Sequence, residues 1–151
     1  MQAFLRWWLM VCLMGFGTYG LYQLGKLQYI FEVDQSGISI IILAIFAMVT
    51  SWIGWLTYKA NKGTPATTGQ VDDLYQYSDF MTVLGLIGTV IGLIIIMGPA
   101  FADIDVSDPT TIEMAIKIIG SGIGTALVTT LVGSVCSLLA KLQIINFDGK
   151  S

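Results

Sequence analysis

The chain has 151 residues, of which 55% are hydrophobic and only 11% are charged, and its mean hydropathy is +0.79. Soluble domains carry roughly 25% charged residues, so this composition predicts an integral membrane protein. The sequence contains no histidine, which excludes imidazole-based metal sites and histidine-activated nucleophiles. Its net charge of −3 disfavours nucleic acid as a partner, because phosphate binding requires clustered Lys and Arg. No phosphate-binding loop, metal cluster or carboxylate pair is apparent, and we expect neither a cofactor nor enzymatic activity.

Four apolar segments are long enough to span a membrane, since a bilayer core of roughly 30 Å requires a helix of about 20 residues. They cover residues 5–24, 38–58, 80–102 and 118–140. The first segment could instead be a signal peptide, but no small-residue cleavage site follows it, and its Trp and Tyr residues are typical of an interfacial belt. We therefore predict an all-α integral membrane protein with four transmembrane helices, in which residues 1–151 form a single membrane domain.

Basic residues beside these segments predict the orientation of the chain, because cytoplasmic loops carry an excess of Lys and Arg. Four spans place both termini and the 59–79 loop on one side of the membrane. The opposite side has only two basic residues, Lys26 and Lys117. We therefore predict that both termini are cytoplasmic. Five basic residues occupy that side: Arg6, Lys59, Lys62, Lys141 and Lys150.

The segments before the third and fourth spans carry helix-forming signals. Residues 71–80 predict a short helical lead into the third span. Before the fourth span, Asp108 or Thr110 is placed to cap a helix that has Pro109 and Glu113 in its first turn. We therefore expect the fourth helix to begin outside the membrane.

Small and hydroxylated residues gather on one side of each of the last two predicted helices, and larger apolar residues face the lipid on the other side. Stripes of this kind commonly serve helix packing in membranes. The alternative is a surface that is accessible to water or to a partner protein. The presence of threonines on two adjacent helices favours this alternative. At about 100° per residue, the stripes comprise Thr82, Gly85, Gly88, Thr89 and Gly92 on the third helix and, on the fourth, Gly122, Ala126, Thr129, Gly133, Ser137 and Ala140, with Thr130 beside them.

The predicted spans contain none of the ten carboxylates of the chain. Ion pathways inside membranes usually require an ionisable group. An ion that crosses through this protein would therefore need a titrating group from a second chain.

Two motifs in the last two spans resemble the MotA/TolQ/ExbB proton channel family. The third span reads GLIGTVIGLI at residues 85–94, which is similar to the family pattern GLLGTVxGMI around a pore-lining threonine. The fourth span reads GIGTALVTTLVG at residues 122–133, which is similar to the family pattern ALxTTxxG. The resemblance covers about residues 82–140, and the order and spacing of the two motifs agree with the family.

This resemblance implies a homopentamer in the bacterial inner membrane, with a central pore lined by the third and fourth helices. It implies two copies of a single-span MotB-, TolR- or ExbD-like partner inside that pore, with an intramembrane aspartate that carries a proton or sodium ion. Thr89 and Thr130 match the two pore threonines of the family, and Thr129 and Gly133 match the rest of the second motif. The implied function is a subunit of an ion-motive-force-driven motor that acts on the cell envelope.

Three departures from the family pattern refine this prediction. Thr125, which we include in the predicted ion pathway, stands where TolQ- and ExbB-like members carry a glutamate, so the fourth span is closer to MotA-like members. The short 59–79 loop leaves no room for the large cytoplasmic domain of flagellar stators. The residues after Lys141 are too few for the helical extension of relatives. A holin-like or other self-sufficient pore is the alternative function.

Overall fold

The computed structural model describes residues 2–23, 25, 37–64, 66–102 and 108–148. These residues contain helices and no strand, so the predicted all-α class is confirmed for this part of the chain. Lys26 and Lys150, which entered the prediction of orientation, lie outside it. The helices are α1 (Gln2–Gln23), α2 (Ile38–Asn61), α3 (Thr68–Ala102) and α4 (Pro109–Asp148).

Three of the helices, α2, α3 and α4, are long and apolar enough to cross a membrane. Over its described residues α1 is less apolar, because Arg6 and the neighbouring Trp7 and Trp8 lower its hydropathy. The chain is therefore a multi-pass membrane protein with three strongly apolar helices, α2 to α4, and a less apolar helix, α1.

Both helices of the α3–α4 pair extend beyond the apolar segments at the end of the pair where α3 begins and α4 ends. α3 begins at Thr68, which confirms the helical lead over residues 71–80. α4 continues to Asp148, about two turns past Lys141, so the segment expected to be too short for an extension is helical.

Asp108 caps the start of α4, which confirms one of the two predicted caps, Asp108 or Thr110. Its Oδ1 atom accepts hydrogen bonds from the backbone N–H of Thr110 at 2.9 Å and from the Thr110 hydroxyl at 2.8 Å. These bonds, the backbone one first, lower the pKa of the Asp108 carboxyl below its usual value, because they stabilise the carboxylate. The cap satisfies a backbone donor that the first turn would otherwise leave unpaired.

The extended part of α4 is joined to α1 and α2 by a buried glutamine. Gln143 is 1% exposed, and its amide Nε2 donates to the Thr50 hydroxyl at 3.3 Å and lies 3.5 Å from the Met14 sulfur. Apolar side chains surround this contact. The buried core around it includes Ile42, Val49, Ile53, Leu56, Leu74, Met81 and Ile144.

α2 lies beside the first half of α3 rather than beside its whole length. Ile38, the first residue of α2, lies against Gly88, and the Trp52 ring is 6.0 Å from the Tyr77 ring. The predicted spans 38–58 and 80–102 are consequently offset by about ten residues, or roughly 15 Å along the helix axis. The second half of α3 and the first half of α4 therefore extend beyond the start of α2.

α1 packs onto α2 where the Trp7 ring covers Gly54. A Cβ atom at Gly54 would lie 2.6 Å from Cη2 of Trp7, so we expect Gly54→Ala to push the rigid indole, and with it α1, away from α2. Overpacking of this kind typically costs about 1–3 kcal/mol. The melting temperature of the purified protein in detergent should fall for Gly54→Ala but not for Gly20→Ala, since a Cβ atom added at Gly20 would meet no atom within 4 Å and alanine favours the helix. Equal melting temperatures would contradict this packing.

Candidate functional site

The small-residue stripes of α3 and α4 face each other and bring the two backbones into contact. A Cβ atom at Gly85 would lie 3.1 Å from the carbonyl oxygen of Thr129, and one at Gly92 would lie 3.3 Å from the Cβ of Ala126. Helices can approach this closely only where side chains are small. Seven of the predicted stripe residues are buried in this packing: Gly85, Gly88, Gly92, Gly122, Ala126, Gly133 and Ser137.

A hydrogen bond between the helices extends this interface by one further contact. The buried Ser78 hydroxyl donates to the carbonyl oxygen of Ser137 at 3.1 Å. Ser78 is not among the interface residues predicted from the sequence. Its position seven residues before Gly85, on the same side of the helix, is the signal that would have found it.

Two threonine hydroxyls meet at one edge of the α3–α4 interface. The hydroxyls of Thr89 and Thr130 are hydrogen-bonded to each other. The Thr89 hydroxyl also lies 3.1 Å from the carbonyl oxygens of Gly85 and Ala126, and the Thr130 hydroxyl lies 3.2 Å from that of Gly85. We call these two hydroxyl and two carbonyl oxygens the threonine cluster.

The threonine cluster has more acceptor capacity than protons to share. Each hydroxyl carries one proton and two lone pairs. Each carbonyl oxygen already accepts a backbone N–H bond of its own helix, and that of Ala126 also accepts the Thr129 hydroxyl, so the spare lone pairs lie mainly on the two hydroxyls. The cluster can therefore accept a hydrogen bond from an added donor, such as a protonated carboxyl group, or offer oxygens to a small cation.

The threonine cluster lies on the side of the α3–α4 pair that faces away from α2. Gly88 lies between Thr129 and Ile38 of α2. Thr89 follows Gly88 and Thr130 follows Thr129, so each threonine is turned by about 100° about its helix axis from a residue on the α2 side. Both threonine side chains are only half-buried. The side chains beyond them are exposed in the single chain, including Leu86, Val90, Ile123 and Leu127.

The other two predicted pathway threonines differ from this pair. Thr129 is 1% exposed, and its hydroxyl donates to the carbonyl oxygen of Ala126 in its own helix at 2.8 Å. The side chain of Thr125 lies outside the described residues. Pore lining by both residues stays a prediction, and the burial of Thr129 favours a packing role.

A comparison with protein families matches residues 56–150 to the MotA/TolQ/ExbB proton channel family. The matched region covers more than half of the chain and includes the whole of α3 and the threonine cluster. The chain belongs to the MotA/TolQ/ExbB proton channel family. Neither the curated proteins nor the solved structures give a significant match.

Membership in the MotA/TolQ/ExbB family confirms the resemblance drawn from the two motifs. Proteins of this family are membrane channels rather than enzymes, and they work with a partner protein. Within this MotA/TolQ/ExbB chain, the threonine cluster lies inside the region that defines the family.

Proposed function

We propose that the chain is the channel subunit of an ion-motive-force-driven motor in the bacterial inner membrane, with Thr89 and Thr130 on its ion path. The observation that carries this proposal is the threonine cluster, which places four oxygens on the open edge of an otherwise apolar helix pair. An unpaired polar group in an apolar environment costs several kcal/mol. The cluster therefore supplies hydrogen bonds where a protonated or ion-loaded group crosses that environment.

The titrating group of the path comes from a partner protein. The apolar segments of α3 and α4, residues 80–102 and 118–140, contain no carboxylate. A single-span MotB-, TolR- or ExbD-like partner with an intramembrane aspartate would supply it. By analogy with the family, five copies of this chain surround two partner helices, and the open edge of each α3–α4 pair faces the pore.

In this arrangement the chain crosses the membrane four times and both termini are cytoplasmic. The asymmetry of basic residues supports this orientation. So does the end of α2, where the Lys59 ammonium lies 5.2 Å from the centre of the Trp55 ring and the Lys62 ammonium lies 4.6 Å from that of Tyr58. Aromatic rings paired with lysines are typical of the membrane interface on the cytoplasmic side.

Production of the chain without its partner tests whether it is a motor subunit or a self-sufficient, holin-like pore. A motor subunit lacks the aspartate that completes the path, so the membrane potential of a bacterial host should be the same with and without the chain. A potential-sensitive dye measures this directly. Collapse of the potential by the chain alone would contradict the proposal and favour the self-sufficient pore.

A further inference from the structure

An ion pair links α3 and α4 on the same open side as the threonine cluster. The Lys141 ammonium lies 2.6 Å from Oδ1 of Asp79, and the two side chains are 40% and 65% exposed, respectively. No other ion pair occurs between residues whose side chains the structure describes. Both residues stand at the edges of the predicted spans, where the helices leave the apolar segments.

The ion pair and the threonine cluster lie along one side of the helix pair. Lys141 follows Thr130 by eleven residues, which returns it to within about 20° of the same direction at roughly 16 Å along α4. Asp79 precedes Thr89 by ten residues and turns further toward the open side, away from α2. A polar side chain lies in the intervening turns of each helix, half-buried Thr82 on α3 and exposed Ser134 on α4, beside the exposed Leu86 and Leu138.

An exposed carboxylate at such a place attracts cations, and a paired ammonium competes with them for its oxygens. Conduction requires a site that binds the ion strongly enough to receive it and weakly enough to release it. A carboxylate held by a lysine across the helix interface meets both conditions. The next carboxylate on this side of α3 is Asp72, two turns before Asp79, whereas Asp73 points to a different side.

We infer that Asp79 is the site where the transported ion passes between the threonine cluster and the cytoplasmic water, and that Lys141 sets its affinity. This inference rests on the proposed function. A transport site differs from a purely structural ion pair because its two residues have opposite effects on ion binding. Removing the carboxylate weakens ion binding, whereas removing the ammonium strengthens it.

The test compares Asp79→Asn, Lys141→Gln and the control Asp73→Asn in the complex purified from native cells and reconstituted in liposomes. Flux is measured against the concentration of the transported ion. We expect the half-saturating concentration to rise in Asp79→Asn and to fall in Lys141→Gln, by up to roughly fivefold, the range that a partly exposed ion pair can supply. Asp73→Asn should behave as the wild type, and the melting temperatures of all three complexes should match it.

A structural clamp would give a different result, since both variants would then lower the melting temperature and would shift the half-saturating concentration equally or not at all. Either finding would overturn the inference. Thr130→Val in the same liposomes separates this failure from that of the proposed function. Loss of flux in Thr130→Val with wild-type behaviour in Asp79→Asn would refute only the role of Asp79. Wild-type flux in Thr130→Val would refute the part of the proposed function that places Thr130 on the ion path.

Discussion

Replacement of Thr130 by valine is expected to abolish ion flux while the assembly stays intact. Valine has nearly the shape of threonine but lacks the hydroxyl that bonds to Thr89 and lies 3.2 Å from the Gly85 carbonyl oxygen. The threonine cluster would lose one of its four oxygens, and an ion-loaded group at that point would lack a partner in an apolar environment. Proton or sodium uptake into liposomes that contain the purified complex measures the loss, and size-exclusion chromatography measures the assembly.

The adjacent residue supplies a matched control for this prediction. Thr129→Val removes a hydroxyl that is buried and bonded to its own helix, so flux should be retained. Thr130→Ser restores the hydroxyl at the threonine cluster and should recover part of the flux. Wild-type flux in Thr130→Val, or equal losses in Thr129→Val and Thr130→Val, would show that these threonines serve packing alone.

A methyl group at Gly133 is expected to separate α3 from α4. In Gly133→Ala the added Cβ atom would lie 2.6 Å from the carbonyl oxygen of Met81 and 3.0 Å from Cα of Gly85. Both neighbours are backbone atoms, which cannot rotate aside, so the helices must move apart. We expect a destabilisation of about 1–3 kcal/mol or more, seen as a lower melting temperature in detergent and a loss of the assembled complex.

Two other glycines of α4 calibrate this effect. A Cβ atom added at Gly124 would meet no atom within 4 Å, so Gly124→Ala should not lower the melting temperature. At Gly122 the added Cβ atom would lie 2.6 Å from both Cγ1 and Cγ2 of Ile96. Because β-branched Ile has little freedom at χ1 in a helix, Gly122→Ala should also lower the melting temperature. The same melting temperature for Gly133→Ala and Gly124→Ala would contradict the close approach of the two backbones.

The helices were largely predictable from the sequence because hydropathy and capping act locally. The apolar segments, the lead into α3 and the cap at Asp108 all depend on residues close together in the chain. The offset of α2 was not predictable in this way. It depends on contacts such as Ile38 with Gly88 and Gln143 with Thr50. Hydropathy indicates the length of a span, but it does not indicate how far one helix is shifted along the axis of its neighbour.

The site was predictable as a motif but not as a geometry. Helical periodicity places Thr129 and Thr130 on adjacent directions of α4, and only the packing of α2 shows that one is buried while the other lies at the open edge. The pairing of Asp79 with Lys141 likewise depends on the relative level of α3 and α4. Sequence spacing within one helix carries no information about that level.

The most direct test of the proposed motor subunit is the intact mass of the complex purified from native cells in mild detergent. We predict five copies of the 16.4 kDa chain together with two copies of a small single-span protein that has an aspartate in its apolar segment. That result would also identify the partner. Rings of the chain with no second protein would contradict the proposed motor and would point to a pore that works alone.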